Sequence, residues 1–186
     1  MSEIRITLLS PSPVVLAQLR DLLIETVADG GSVGFMHPVS PEAADAFWVR
    51  ALGAAERGER LVLGAWDGEE LLGTVTLLLD MPVNQPHRGE IAKMMTRPSA
   101  RGRGAATALM RRAEALAEGR GRTLLVLDTA SDGGASSLYE RLGFTLAGEF
   151  PDYALKPHGG LTGTRLYYKR LGPAAGDPLS PARETP

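Results

Sequence analysis

Residues Arg101-Gly102-Arg103-Gly104-Ala105-Ala106 constrain this chain more than any other stretch. They follow the strand-like Ile91-Ala92-Lys93-Met94-Met95-Thr96 and open the helix-like Ala106-Thr107-Ala108-Leu109-Met110. A strand, a glycine-punctuated turn and a helix N-terminus make a diphosphate site. Small residues let the backbone close around the anion, and unpaired amides with the helix dipole favour its charge. Arg101 and Arg103 add positive charge beside it. A Walker loop is excluded, because its longer glycine spacing and Lys-Ser/Thr ending are both missing. A dinucleotide fingerprint needs a third glycine and an acidic residue ending the next strand. The third glycine is replaced by alanine, while Asp128 supplies the acidic residue, so that reading is weakened and stays open.

The rest of the chain bounds what this turn can belong to. Its 186 residues suit one domain, read as 1–171, followed by a Pro- and Ala-rich tail, 172–186, expected to be disordered. Cysteine is absent, which removes disulfides, thiolate metal sites and a cysteine nucleophile together. A net charge of −2 gives no bulk attraction to nucleic acid or anionic membrane. The single Arg-Gly-Arg-Gly lacks the aromatic interleaving of an RNA-binding segment. His37, His87 and His158 are scattered without clustered carboxylates, so no metal site is expected. No stretch reads as a signal peptide or membrane span, and a cytoplasmic location is expected. The heavy use of Ala, Gly and Arg has the look of a high-GC bacterial genome.

Periodicity orders the elements. Ile4–Leu9 alternates as a strand, and Leu16, Leu19, Leu23 and Val27 recur at helical spacing until Asp29-Gly30-Gly31-Ser32. A second helix starts at Ser40-Pro41-Glu42 and runs to about Arg57. Two strands flank a turn at Asp67-Gly68, and a third covers about Arg88–Thr96. A helix from Gly104 to about Glu118, a strand at Thr123–Leu127 ending in Asp128, and a helix at about Gly134–Leu142 follow. Strands at Thr145–Phe150 and Thr164–Arg170 close the domain.

The turn's Arg-x-x-Gly-x-Ala wording resembles the acetyl-CoA pyrophosphate signature of the GNAT N-acetyltransferase superfamily. The element order is similar to that superfamily's as well. A second signature, Asp132-x-x-Ala135-x-x-Leu138-Tyr139-Glu140-Arg141-Leu142-Gly143-Phe144, resembles its Asn-x-x-Ala-x-x-Leu-Tyr-Glu-Lys-Leu-Gly-Phe. The resemblance implies an α/β fold: a mixed, mostly antiparallel sheet splayed between its fourth and fifth strands, with about four flanking helices. It implies acetyl-CoA as cosubstrate. The pantetheine arm would pair with main chain of Met94, Met95 and Thr96. The amides of Arg101, Gly102, Arg103, Gly104, Ala105, Ala106 and Thr107 would take the pyrophosphate, and Met95 N–H the oxyanion. Asp132 stands where the family has Asn, which puts its contact to the cofactor in question.

Direct transfer from a thioester to an amine needs a held cofactor, a neutral amine, an oxyanion donor and a proton for the thiolate. Tyr139 suits the last role: a phenol of pKa ~10 stays protonated at neutral pH, though the site must lower that value to favour transfer to a thiolate. Packing as an amphipathic aromatic is the alternative. Some GNAT enzymes place a catalytic glutamate where Glu90 stands; a carboxylate merely paired with Arg88 is the competing reading. Asp128 could hold the acceptor's ammonium and help deprotonate it, or serve in a turn.

Several segments resemble the tabtoxin-resistance branch of the superfamily. They include Gly30–Met36, Pro98–Gly104, Leu127-Asp128-Thr129 and Pro151-x-Tyr153. That resemblance implies a small amino-acid-like amine as acceptor, catalytic roles for Asp128 and Tyr139, and Phe35, Met36 and Tyr153 as pocket wall. Core packing is the alternative for Phe35. Other acceptors (aminoglycoside, polyamine or protein N-terminus) and a non-catalytic acyl-CoA-binding module are the competing functions. Many GNAT proteins form homodimers, and no residue pattern here marks an interface.

Overall fold

The computed structural model describes residues 4–172. The expected tail lies outside them except for Gly172. Strand β1 (Arg5–Leu8) leads to helices α1 (Pro13–Ala28) and α2 (Pro41–Glu56). Each helix starts on a serine followed by proline: Ser12 Oγ accepts from Val15 N–H at 3.1 Å, and Ser40 Oγ from Ala43 N–H at 3.2 Å. These hydroxyls satisfy amides that a helix start leaves bare. Strands β2 (Arg60–Asp67), β3 (Glu70–Leu78) and β4 (Arg88–Thr96) follow. A single 3-10 turn (Pro98–Ala100) then precedes α3 (Ala105–Glu118), β5 (Leu124–Ala130), α4 (Ser136–Arg141), β6 (Thr145–Leu155) and β7 (Leu161–Arg170).

The strands form one seven-stranded sheet in the order β1-β2-β3-β4-β5-β7-β6. Every neighbouring pair is antiparallel except β4 with β5. This is the mixed, mostly antiparallel α/β architecture with four α-helices expected from the sequence. The parallel pair holds only from Arg88–Glu90 against Leu124–Val126, after which the two strands part. One core, with Leu109, Met110, Ile91, Leu125 and Leu127, lies on the α3 face of the sheet. The other, with Leu19, Leu23, Trp48, Val62 and Met95, lies under α1 and α2.

A bulge in β4 decides which face its side chains take. Thr76 pairs with Ala92 and Thr74 with Met95, so β4 carries one residue more than β3 across this span. Lys93 absorbs it with φ of +51°. In an unbroken strand Ile91 and Met95 would share a face. Instead Ile91 joins the α3-side core, Met94 packs on that same side, and Met95 enters the α1/α2 core.

Several boundaries differ from the sequence expectation. The two loop residues of the β2–β3 hairpin are Gly68-Glu69, because Asp67 still pairs with Glu70. Strand β5 does not end at Asp128: Asp128, Thr129 and Ala130 pair with Leu166, Arg165 and Thr164 of β7. Pairing with β7 therefore overrides a good turn sequence. Helix α4 begins two residues late, at Ser136, since Gly134 takes φ of +64°. Strands β6 and β7 both extend beyond the expected limits. Pro151 lies in a register shift between Phe150 and Ala154, and on the outer strand its missing N–H leaves no central ladder position unpaired.

Candidate active site

Where β4 and β5 part, β4 offers main chain from Ile91 to Thr96 with no strand beside it on the β5 side. Its other edge is held by β3, and the contact there is close. A Cβ on Gly73 would lie 2.6 Å from the Met95 carbonyl oxygen. Arg97 pins the end of β4. Its Nε donates to Leu71 O at 2.8 Å, Nη1 to Glu25 at 2.5 Å, and Nη2 to Gln18 Oε1 at 3.3 Å. The strand that carries Met94, Met95 and Thr96 is thus tied to both β3 and α1.

The glycine turn follows directly. Gly102 and Gly104 take φ of +77° and +87°, a region in which a side chain is strained, and nothing lies within 4 Å of where a Cβ would be. Gly104 caps α3 without a side chain to occupy the helix start. Buried Ala105 anchors the first turn in the α3-side core. The amides of Arg101 and Arg103 donate to Pro98 O and Ala100 O, both at 3.3 Å. Those of Gly102, Gly104, Ala105, Ala106 and Thr107 have no main-chain acceptor among the described residues. These five can serve a diphosphate, a narrower set than the seven named from sequence. A backbone edge for an amide-bearing arm and a bare helix start for a diphosphate fit coenzyme A.

The two arginines do not stand waiting for that anion. Arg101 Nη2 is 2.5 Å from Asp29 at the end of α1, and Arg103 Nη2 is 2.5 Å from Asp67 on the β2–β3 hairpin. Either could reach a phosphate only by exchanging a carboxylate for it.

Lys93 on β4 and Asp128 on β5 both lie just past the last parallel pair, and the Asp128 charge acts on Lys93 and on Tyr139 of α4. Asp128 is exposed and accepts from Thr164 Oγ1 at 3.1 Å. Tyr139 is buried, flanked by Phe144 and Tyr167 with ring centroids at 6.1 and 6.0 Å. Its hydroxyl has no hydrogen-bond partner among the described residues. Burial, and then the charge of Asp128, push the phenol up to about 12. That is opposite to the lowering an acid for a thiolate requires, and the reason is the loss of water around a group that ionises to an anion. Lys93 was missed as a site residue in the sequence. Burial lowers its pKa while Asp128 opposes the fall. Its Nζ lies 5.8 Å from the Phe47 ring centroid.

The other candidates fall in different surroundings. Glu90 is the last residue of β4 that pairs with β5, and its carboxylate accepts from Arg88 Nη1 at 3.0 Å. Asp132 accepts from Thr162 Oγ1 at 2.8 Å and sits 3.4 Å from Lys156 Nζ, so the β6–β7 hairpin engages it. The Thr162 hydroxyl is the chief cause of its lowered pKa. Phe35 packs edge-on to Phe47 at 5.3 Å, beside the α1/α2 core. Met36 is exposed next to it. Tyr153 is exposed on β6, stacked on Phe150 at 6.0 Å. The β6–β7 turn itself does reach the α1–α2 segment. His37 N–H donates to Pro157 O at 2.9 Å, the His37 and His158 rings lie 4.6 Å apart, and His158 Nε2 is 2.9 Å from Ala28 O. Nothing in residue spacing marked that brace.

Among the described residues no group of three or more His, Asp or Glu could hold a metal ion, and no helix is long and apolar enough to cross a membrane. The sequence profile described as "Acetyltransferase (GNAT) family" matches residues 21–144, from within α1 to just past α4. The Escherichia coli K12 protein named "Uncharacterized N-acetyltransferase YedL" is 31% identical over 129 residues, covering 67% of this chain and 76% of that protein. The Acinetobacter baylyi protein ACIAD1637 superposes with a TM-score of 0.78 at 19% identity, covering 97% of this chain and 98% of that one. The Salmonella typhimurium protein yncA, solved with its cofactor acetyl-CoA, superposes with a TM-score of 0.74 at 18% identity, covering 94% and 99%.

Proposed function

Because the chain belongs to the acetyltransferase (GNAT) family, an N-acetyltransferase family that uses acetyl-CoA, we propose that its acceptor is the amine of a small amino-acid-like molecule. Detoxification of a tabtoxin-like amino acid is one form of that activity. The observation that carries the reading is the position of Asp128 and Lys93 just past the last β4–β5 pair, with the Asp128 charge acting on both Lys93 and Tyr139. The motif resemblance at Gly30–Met36 and Leu127-Asp128-Thr129 supports it.

Acetyl-CoA, when bound, supplies the acetyl group as a thioester. Main chain of Met94, Met95 and Thr96 would hold its arm, and the Gly102, Gly104 and Ala105–Thr107 amides its diphosphate. The Met95 N–H is the oxyanion donor in this reading. Asp128 binds the acceptor's ammonium and takes its proton. Once Asp128 is neutral, one of the two causes holding the Tyr139 phenol high is gone. Proton uptake at Asp128 thereby makes Tyr139 a better acid at the stage when the thiolate needs a proton. Glu90 remains a second candidate base, released only if Arg88 gives it up.

Thiol release from acetyl-CoA with a panel of amines tests the proposal. The panel holds small amino acids, a tabtoxin-type β-lactam amino acid, a polyamine, an aminoglycoside and N-terminal peptides. Turnover of the amino acids is expected; turnover confined to peptides or polycations overturns the acceptor class. Acetyl-CoA binding without turnover of any amine would make the chain a binding module.

A further inference from the structure

Lys93 lies on the β4 bulge, beside the parting of the strands. Its ammonium has no ion-pair or hydrogen-bond partner among the described residues, and it is partly buried. The side chain leaves the β4 bulge on the face of α2, where Nζ lies above the Phe47 ring. Nζ is also 3.4 Å from where a Cβ on Gly34 would stand, so the missing side chain leaves space beside the ammonium. A lysine kept for stability pairs with a carboxylate or reaches water with its head. This one does neither fully, and burial works against its charge.

Asp128 stands on the opposite strand. Leu125 and Leu127 point into the α3-side core, so strand alternation sends Asp128 to the other face, the one Lys93 also takes. The two charges sense each other without forming an ion pair. Thr164 Oγ1 is the one hydrogen-bond donor to the Asp128 carboxylate among the described residues, which leaves most of its acceptor capacity unused.

We infer that Lys93 and Asp128 form a two-ended seat for a free α-amino acid, Asp128 holding the amine to be acetylated and Lys93 the carboxylate. The inference rests on the proposed function and narrows its substrate class. Polyamines and aminoglycosides bring further cations toward Lys93, and a peptide N-terminus offers a neutral amide where the carboxylate should be. Phe35 and Phe47, edge to face beside Lys93, suit an apolar side chain.

The test compares leucine and methionine with leucine amide and methionine amide as acceptors, using the wild-type protein, Lys93→Met and Lys93→Arg. Wild-type kcat/KM should favour the free acids by about tenfold or more, the effect of one charge-assisted hydrogen bond. Lys93→Met should erase that preference through KM for the acids, and Lys93→Arg should restore part of it. Equal use of acids and amides by the wild-type protein overturns the seat. So does a Lys93→Met loss that falls equally on acids and amides, the mark of a merely structural role. If no amine is turned over, the proposed function fails by itself. The seat is then read by calorimetry of N-acetylleucine against N-acetylleucine amide with coenzyme A present. Tighter binding of the acid that Lys93→Met abolishes supports the seat; equal binding removes it.

Discussion

Asp128 on β5 acts on Tyr139 of α4, its carboxylate adding charge to the burial that holds the phenol near 12. A proton on Tyr139 is therefore difficult to release while Asp128 is charged, and easier once Asp128 is protonated.

Tyr139→Phe should lower kcat by about a hundredfold or more while leaving acetyl-CoA affinity unchanged, since a general acid contributes on that scale. Steady-state kinetics together with calorimetric titration of acetyl-CoA check this. Unchanged turnover would remove Tyr139 from the mechanism.

The same phenol sets an alkaline limit. Its folded pKa of about 12 exceeds the ordinary phenol value of 10.0, so the unfolded chain loses this proton first. Stability tied to Tyr139 is complete below pH ~10 and falls as pH rises toward about 12, by roughly 3 kcal/mol at most. Urea midpoints across that window should decline less in Tyr139→Phe than in the wild-type protein.

Asp128→Asn removes the lesser of the two causes acting on Tyr139 and leaves burial in place. Phenolate absorbance, read as a difference against Tyr139→Phe, should show a pKa below about 12 and still above the unperturbed value. Turnover should drop by about tenfold to a hundredfold through loss of the amine's anchor. A phenol that titrates unchanged would mean that Asp128 does not act on it.

Lys93 has the reverse linkage. Its folded pKa lies below 10.5, so stability rises with pH from that depressed value up to the unfolded one. Lys93→Met should lack this rise and melt no lower than the wild-type protein at neutral pH. A lower melting temperature would show that the ammonium supports the fold.

Gly73→Ala would set a methyl against the Met95 carbonyl oxygen, an atom of main chain that cannot swing aside. Overpacking of this kind costs about 1–3 kcal/mol. Displacement of Met95 should weaken acetyl-CoA binding as well. Thermal melting and acetyl-CoA titration of the variant test both effects.

Much of this arrangement was legible in local signals. Ser40-Pro41 starts α2, Gly104 opens α3, and alternation marks β2 and β3, because each depends on residues close in sequence. What escaped depends on partners far along the chain. The Lys93 bulge exists only in the register of β4 against β3, so a lysine inside a strand-like run gave no sign of facing Phe47. The Asp29 and Asp67 partners of Arg101 and Arg103 lie 72 and 36 residues away. Asp128-Thr129-Ala130 has the composition of a turn, and only β7 keeps it extended. The upward shift of Tyr139 follows from how deeply its own side chain is packed, which the motif's spelling does not contain.

The two short ion pairs at the glycine turn bear on how tightly any nucleotide is held. A guanidinium that turns from Asp29 or Asp67 to a phosphate gives up one anionic neighbour to gain another, so little net attraction is won. Grip would then come from uncharged peptide dipoles fixed in place before the ligand arrives. Background electrolyte does little against such dipoles, and the turn can work across a wide range of ionic strength.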